Sequence, residues 1–317
     1  MRELLKISQA IAAGGALRRR LTGVSVPPMD STAGFTVLGE ALPASPVVVS
    51  VPHAGRDYPL VLRAALRGPL GGLQALEDRH VDAVASAARR RETLIVQHRA
   101  RAWIDLNRAE DERDPMVDEG ADPATVASAK VANGLGLIPR RAGGGTDLWR
   151  RRWSDAEVRA RIASDHRLYH EAVAAALAAA RRRWGTAVLL DLHSMPPLSG
   201  AGRGVRVVLG DRWGRASSPR FMARVEAVAT AARCPVQLNT PYAGGHILDR
   251  HGSPGEHIHA VQVELDRSLY LDHALDRPGS GLQRTAEMVR QMLAALADEA
   301  LAHRDLDGAH AAPIAAE

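Results

Sequence analysis

Apolar residues along this chain gather in short dense runs, and between the runs they recur at helical spacing. The runs fall at 46–51, 93–97, 101–106, 186–192, 205–209, 235–238 and 258–265, each rich in Val, Ile or Leu and bounded by Gly, Pro or polar residues. Runs of that length and make-up predict strands. In "VVVSV", residues 47 to 51, only Ser50 interrupts the valines, so the pattern is continuous rather than alternating and predicts a central strand covered on both faces. Pro52 then denies the ladder a donor, which places His53 just past the strand's carboxyl end. Helical periodicity occupies 73–91, 154–184, 218–232 and 281–302, and Ser154 with Glu157 makes a capping box for the second of these. Strands that alternate with helices predict an α/β fold, with a mostly parallel or mixed central sheet and helices on both faces, in a single domain over 34–317. Residues 1–33 are expected to be a tail or a short surface helix, because patterned sequence begins only after Met29, which could itself be the natural start. A long irregular stretch, 107–150, carries Pro115, Pro139, Gly134, Gly136 and Gly143 to Gly145. Loops of that length inside a compact domain are usually functional.

Composition narrows the function more than the fold. Aromatic residues make up 3% of the 317, so the core must rest on Ala, Val and Leu. Lys plus Arg number 41 against 36 Asp plus Glu, a net charge of only +5, and the basic runs at 17–20, 88–91 and 181–184 suit helix ends. Without a basic patch interleaved with aromatics or a known binding module, nucleic acid is not an expected partner. The single cysteine, Cys234, excludes an internal disulfide and fits a reducing, cytoplasmic setting. No run approaches the ~20 apolar residues of a membrane span, and three arginines follow the opening apolar stretch where a secretory signal would be cut. Self-association into a homo-oligomer is left open.

The chemistry-bearing residues sit at the predicted strand ends. "AVLLDLHSMPP", 187 to 197, repeats the logic of the first strand by delivering His193 after an apolar run, with Asp191 two residues earlier on the same face. Asp191 either orients the site or is a buried structural carboxylate. In "LEDRHVDAVA", 76 to 85, Asp78 and Asp82 are four apart on one face of a predicted helix. Two histidines and a carboxylate with an open fourth position are how catalytic zinc is held. Glu264 lies mid-strand in "HAVQVELD", where a carboxylate must be paired or working; it reads as a general base or as an ion pair with Arg267 or another arginine. Asn107 and Arg108 end the run at 101–106, and an amide beside a guanidinium suits two-point capture of a substrate carboxylate, with a surface salt bridge to Glu110 or Asp111 as the competing reading. A Rossmann nucleotide site is disfavoured, since no G-x-G-x-x-G follows the first strand.

Taken in order and spacing, "SVPHAG", "EDRHVD", "IDLNRAEDERDP", "LLDLHSMPP", "PYAGGHILDRHGSP" and "VQVELDRSLY" resemble the N-formylglutamate amidohydrolase family, distantly similar to zinc carboxypeptidases. The resemblance runs from about residue 35 to about 300 and includes "GLGLIPR" and "VVLGDRWG". It implies a zinc-carboxypeptidase-like fold, Zn2+ or another divalent metal on His53 and His193, and catalysis by Glu264. Carboxypeptidases take their acidic ligand three residues after the first histidine, where this chain has Arg56, so the third ligand is sought elsewhere and Asp78 is preferred to Asp82. Asn107 and Arg108 resemble the pair that holds a terminal carboxylate, and Gly244 and Gly245 resemble the family's mobile active-site loop. Family members that degrade formylglutamate usually carry Tyr-Ile-Thr-Arg-His-Tyr-Gly after the glycine pair, whereas this chain has "HILDRHG". His246, Asp249, Arg250 and His251 therefore stand where residues shape the substrate pocket. The expected activity is zinc-dependent hydrolysis of N-formyl-L-glutamate to formate and L-glutamate. Its rivals are an N-acyl amino acid deacylase, a carboxypeptidase-like amidase, and a binding protein that keeps the fold without the chemistry.

Overall fold

Seven strands form one mixed sheet in the computed structural model, which describes residues 34–124, 126–142 and 145–310. In chain order the elements are β1 (Phe35–Leu38), β2 (Val47–Val51), α1 (Leu60–Ala65), α2 (Gly71–Gln74), α3 (Val81–Ala88), β3 (Thr93–Gln97), α4 (Ala129–Ala132), α5 (Asp155–Arg161), α6 (Leu168–Trp184), β4 (Ala187–Met195), β5 (Val207–Gly210), α7 (Pro219–Ala231), β6 (Val236–Leu238), α8 (His246–His251), β7 (Ile258–Asp266) and α9 (Leu282–His310). The sheet order is β1-β3-β2-β4-β7-β5-β6. β1 runs antiparallel to β3 and β5 antiparallel to β7, while the remaining neighbours are parallel. The expected tail over residues 1–33 lies outside the described residues, as do Gly143 and Gly144.

The continuous apolar runs are explained by what covers them. β2, β3, β4 and β5 are buried at every position, because helices pack on both faces of the sheet. Val47, Val49, Val51, Val188 and Leu190 meet residues of α3, α7 and α9, among them Val84, Val225 and Met292. The intervening Val48 and Leu189 face α6 and α8 through Tyr169, Val173 and Leu248. Truncating one of these fully buried leucines to alanine costs about 2–5 kcal/mol, since transfer and cavity terms add.

Several boundaries differ from expectation for identifiable reasons. Residues 101–106 are turns, not a strand: Ile104 and Leu106 are buried, but the Asp105 carboxylate accepts the Asn107 amide at 2.9 Å and Trp103 N–H donates to Ala100 O at 2.8 Å. Local polar bonds there replace a ladder. The helix expected over 73–91 is broken between α2 and α3, where His80 adopts φ 58°. β4 continues to Met195, so His193 lies inside the strand and not beyond it. The segment expected as one helix over 154–184 begins with the capping box of Ser154 and Glu157, then widens into a π-helical segment, Ile162–Arg167, between α5 and α6. β1, an edge strand of four residues, has too short a pattern to be read in advance.

Candidate active site

The register of the sheet assembles the site. β4 and β7 pair so that His193 stands beside Glu264, and β2 ends one strand away with His53 two residues further on. The break before α3 supplies the third member: Asp78 N–H donates to His53 O at 2.9 Å, which carries its side chain to the same rim. Asp78 Oδ2 is 2.9 Å from His193 Nδ1 and 3.7 Å from His53 Nδ1, and the two rings meet edge to face with centroids 4.8 Å apart. All three residues are buried. Asp82 is not part of this group, because Arg56 holds it in a two-point ion pair at 2.7 and 3.0 Å. The arginine at the position where carboxypeptidases have an acid thus occupies the rival carboxylate.

These three side chains suit a divalent cation. A tetrahedron of bonds of about 2.0–2.1 Å places its ligand atoms roughly 3.3 Å apart, within the range of the separations above. His53 Nδ1 is buried with no hydrogen-bond partner among the described residues. The opposite nitrogens are both engaged: His53 Nε2 with Asp105 at 2.8 Å and His193 Nε2 with Asp191 at 2.8 Å. A carboxylate behind each imidazole fixes the ring and raises its basicity, the arrangement usual for metal-bound histidine. Asp191 in turn accepts from Ser50 Oγ at 2.7 Å, and Arg101 braces Asp105 at 2.8–2.9 Å. Burial works against charge on Asp105, yet Arg101, Arg108 and His53 hold its carboxyl well below the usual range. Burial likewise opposes protonation of His193, and the facing Asp191 and Asp78 carboxylates win, raising it well above ordinary histidine.

Glu264 is buried and has no ion-pair partner among the described residues. Arg267, its expected partner, turns instead to Ser194 Oγ, the Glu77 carbonyl and Asp78. Among the described residues only Gln262 Nε2 donates to Glu264, at 3.0 Å. Desolvation is therefore the main influence on it; the nearby His193 pulls its pKa down and Asp78 pushes it up, and the outcome is about 7. A carboxylate poised near neutrality can both take and return a proton.

Glu264 and the three clustered residues open onto a cleft of about 640 Å³ that Asn107 and Arg108 also line. Asn107 Oδ1 accepts from Ile247 N–H at 2.9 Å, and its amide faces Gln262 at 3.4 Å. Arg108 donates Nε to Leu135 O and Nη1 to Asn107 O, so it is a buried cleft residue and not a surface salt bridge to Glu110 or Asp111.

Residues 45–271 match the family model for N-formylglutamate amidohydrolase. The chain belongs to the N-formylglutamate amidohydrolase family. An N-formylglutamate deformylase of Pseudomonas aeruginosa is 30% identical over 81% of this chain and 93% of its own length. One from Pseudomonas putida is 30% identical over 72% of this chain and 82% of its own. The crystal structure of N-formylglutamate amidohydrolase from Ralstonia eutropha JMP134 superposes with a TM-score of 0.75 at 30% identity, covering 86% of this chain and 99% of that one.

Within the amidohydrolase fold, the glycine pair serves close approach. Gly244 has φ 98°, and a β-carbon there would come within 2.5 Å of Leu248; one at Gly245 would lie 2.6 Å from Asn107 Oδ1. Of the residues that follow, His246 and Asp249 line the cleft, whereas Arg250 is exposed and lies outside its lining. His251 is buried against His170. The sequence did not single out Lys130, Glu112, Arg212, Trp213 or Tyr242, which also line the cleft. Lys130 lies in the long irregular stretch, and that stretch was the one available signal for it.

Proposed function

We propose that this chain is a zinc-dependent amidohydrolase that cleaves N-formyl-L-glutamate to formate and L-glutamate. The reading is carried by the meeting of His53, Asp78 and His193 with the buried base Glu264 at one rim of the sheet. The two imidazoles and Asp78 are the residues that would hold the cation, which would supply Lewis acidity toward the acyl oxygen and lower the pKa of water. Glu264 takes the proton of the attacking water and returns it to the amide nitrogen as the C–N bond breaks. Asn107 and Arg108 grip the substrate's α-carboxylate, and their anchoring to Gln262, Ile247 and Leu135 limits the reorganisation needed to do so. Gly244 and Gly245 let the loop backbone close on the substrate, with His246 shaping the pocket beside them. Arg250 is withdrawn from that role by its exposure. We place the reaction in the cytoplasm, in keeping with a single free cysteine, Cys234, and no described helix long and apolar enough to cross a membrane.

The test is metal content and formate release measured together on the purified protein and its His53→Ala variant. The wild type is expected to carry zinc and to release formate from N-formyl-L-glutamate, and the variant to do neither. Equal metal content in the two proteins would remove His53 from the site. Turnover confined to other N-formyl or N-acetyl amino acids in a panel would keep the chemistry and overturn the substrate.

A further inference from the structure

A second group of imidazoles sits against the backbone on either side of Asn107. His166 lies in the π-helical segment, His170 in the first turn of α6, and His246 and His251 at the two ends of α8. Ring centroids of His166, His170 and His246 are 4.5, 5.1 and 5.7 Å apart. The protons can be assigned from the partners. His166 Nε2 is 2.8 Å from Arg108 O, and His170 Nε2 is 3.0 Å from Leu106 O. A carbonyl oxygen only accepts, so both Nε2 atoms carry hydrogen and both Nδ1 atoms present lone pairs when the rings are neutral. Burial keeps them neutral: it lowers the pKa of His166, His170 and His246 alike.

Two ring nitrogens of these three residues are orphans among the described residues. His166 Nδ1 and His246 Nε2 are buried with no hydrogen-bond partner, and the nearest carboxylate oxygen to His166, Glu110 Oε1 at 3.8 Å, belongs to a residue already bonded to Arg167. His170 Nδ1 accepts only from His251 Nε2, at 2.9 Å. A buried nitrogen left without a partner is costly, and a cation satisfies those of His166 and His246 together, with His170 Nδ1 joining them once it exchanges the His251 N–H for the ion. We propose that His166, His170 and His246 form a second metal site, taking a borderline divalent ion of the zinc, nickel and copper class. Three imidazoles match that class, and the backbone carbonyls behind His166 and His170 provide the outer partners that ligating histidines use. One donor atom from each residue lies within 4.8 Å of the others, so the group must close toward roughly 3.3 Å around an ion. His246 is the member free to move, being half-buried on the first residue of α8 and without a side-chain hydrogen bond among the described residues. An ion there ties α6 and α8 to the backbone that carries Asn107.

The experiment is a zinc titration of chelator-stripped full-length protein, with calorimetry for affinity and elemental analysis for stoichiometry. The wild type is expected to bind about two equivalents, and His246→Phe, His246→Gln and His53→Ala about one each. The equivalent kept by the His246 variants also shows that they fold. If the wild type binds one equivalent that His53→Ala loses and the His246 variants keep, the second site is overturned while the proposed catalytic metal stands. A single equivalent lost in the His246 variants and kept in His53→Ala would do the reverse. Two equivalents in both His246 variants would place the second ion elsewhere and also overturn the assignment.

Discussion

Among the described residues histidines gather in two places, His53 with His193 and His166 with His170 and His246, and the two groups differ in what stands behind each ring. His53 and His193 are backed by the Asp105 and Asp191 carboxylates; His166 and His170 are backed by the Arg108 and Leu106 carbonyls. Carboxylate backing outweighs burial and pulls His193 toward the charged form. In the second group burial wins, with the Arg250 guanidinium and the neighbouring imidazoles adding to it, and His170 and His251 are driven well below ordinary histidine, the latter to about 4. Charge state in a buried cluster is thus set by the partner and not by the histidine. The first group also has a base beside it, Glu264 on the neighbouring strand, whereas the carboxylate beside the second, Glu110 at 3.8 Å from His166, is already bonded to Arg167.

The sharpest way to break this comparison is at that base. Glu264→Gln is expected to lower kcat by about 10²–10⁴-fold while leaving bound metal unchanged, because it removes a proton carrier and no ligand. Single-turnover formate release with elemental analysis of the same sample checks both halves. The base works deprotonated, so activity rises as pH rises through about 7 and falls away below it. That acid limb should vanish from the residual activity of the variant; a limb that persists would assign it to another group.

Smaller in effect is removal of the backing itself. Asp105→Asn and Asp191→Asn are each expected to weaken metal binding at the first group by about 10–100-fold, since the carboxylates orient and polarise the rings without touching the ion. Zinc affinity under competition with a chelator measures this, and an unchanged affinity would reduce the difference between the clusters to their surroundings. Asp78→Ala against Asp82→Ala supplies the matching contrast. The first should lose the metal and the second keep it, because Arg56 already occupies Asp82.

How much of this could be read in advance follows from the same contrast. His53, His193 and Glu264 were legible because each interrupts or ends an apolar strand, and strand ends in α/β sheets gather at one rim. Asp78 was legible only as one of two carboxylates on a helix; what selects it is the break at His80, and a left-handed histidine has no clear mark in sequence. The run at 101–106 looked like a strand because it is a short apolar run bounded by polar residues, and the chain satisfies its polar groups with Asp105 instead. The second histidine group was not legible at all. His166 and His170 sit on a helix and His246 and His251 on another, and their meeting depends on how α6 and α8 cross, which no local pattern encodes.

The mildest test asks whether the two regions are mechanically separate. Ser154 and Glu157 cap the start of α5, and α5 runs through the π-helical segment into α6, so the cap supports the helix that carries His166 and His170. Ser154→Ala should cost about 1 kcal/mol in urea unfolding. Arg151 and the Ser154 backbone hold Glu157 at about 2 against an ordinary value of 4.5, so its stabilisation is present above pH 4.5 and fades as pH falls toward 2. The variant should lose part of that acid-dependent stability, and amide exchange should quicken over 155–170. Amides of 47–51 and 188–193 should keep their protection, because β2 and β4 are held by the sheet and do not depend on this cap. Quickened exchange in those strands as well would mean that the two histidine groups share one cooperative unit, and the contrast between them would then be one of charge alone.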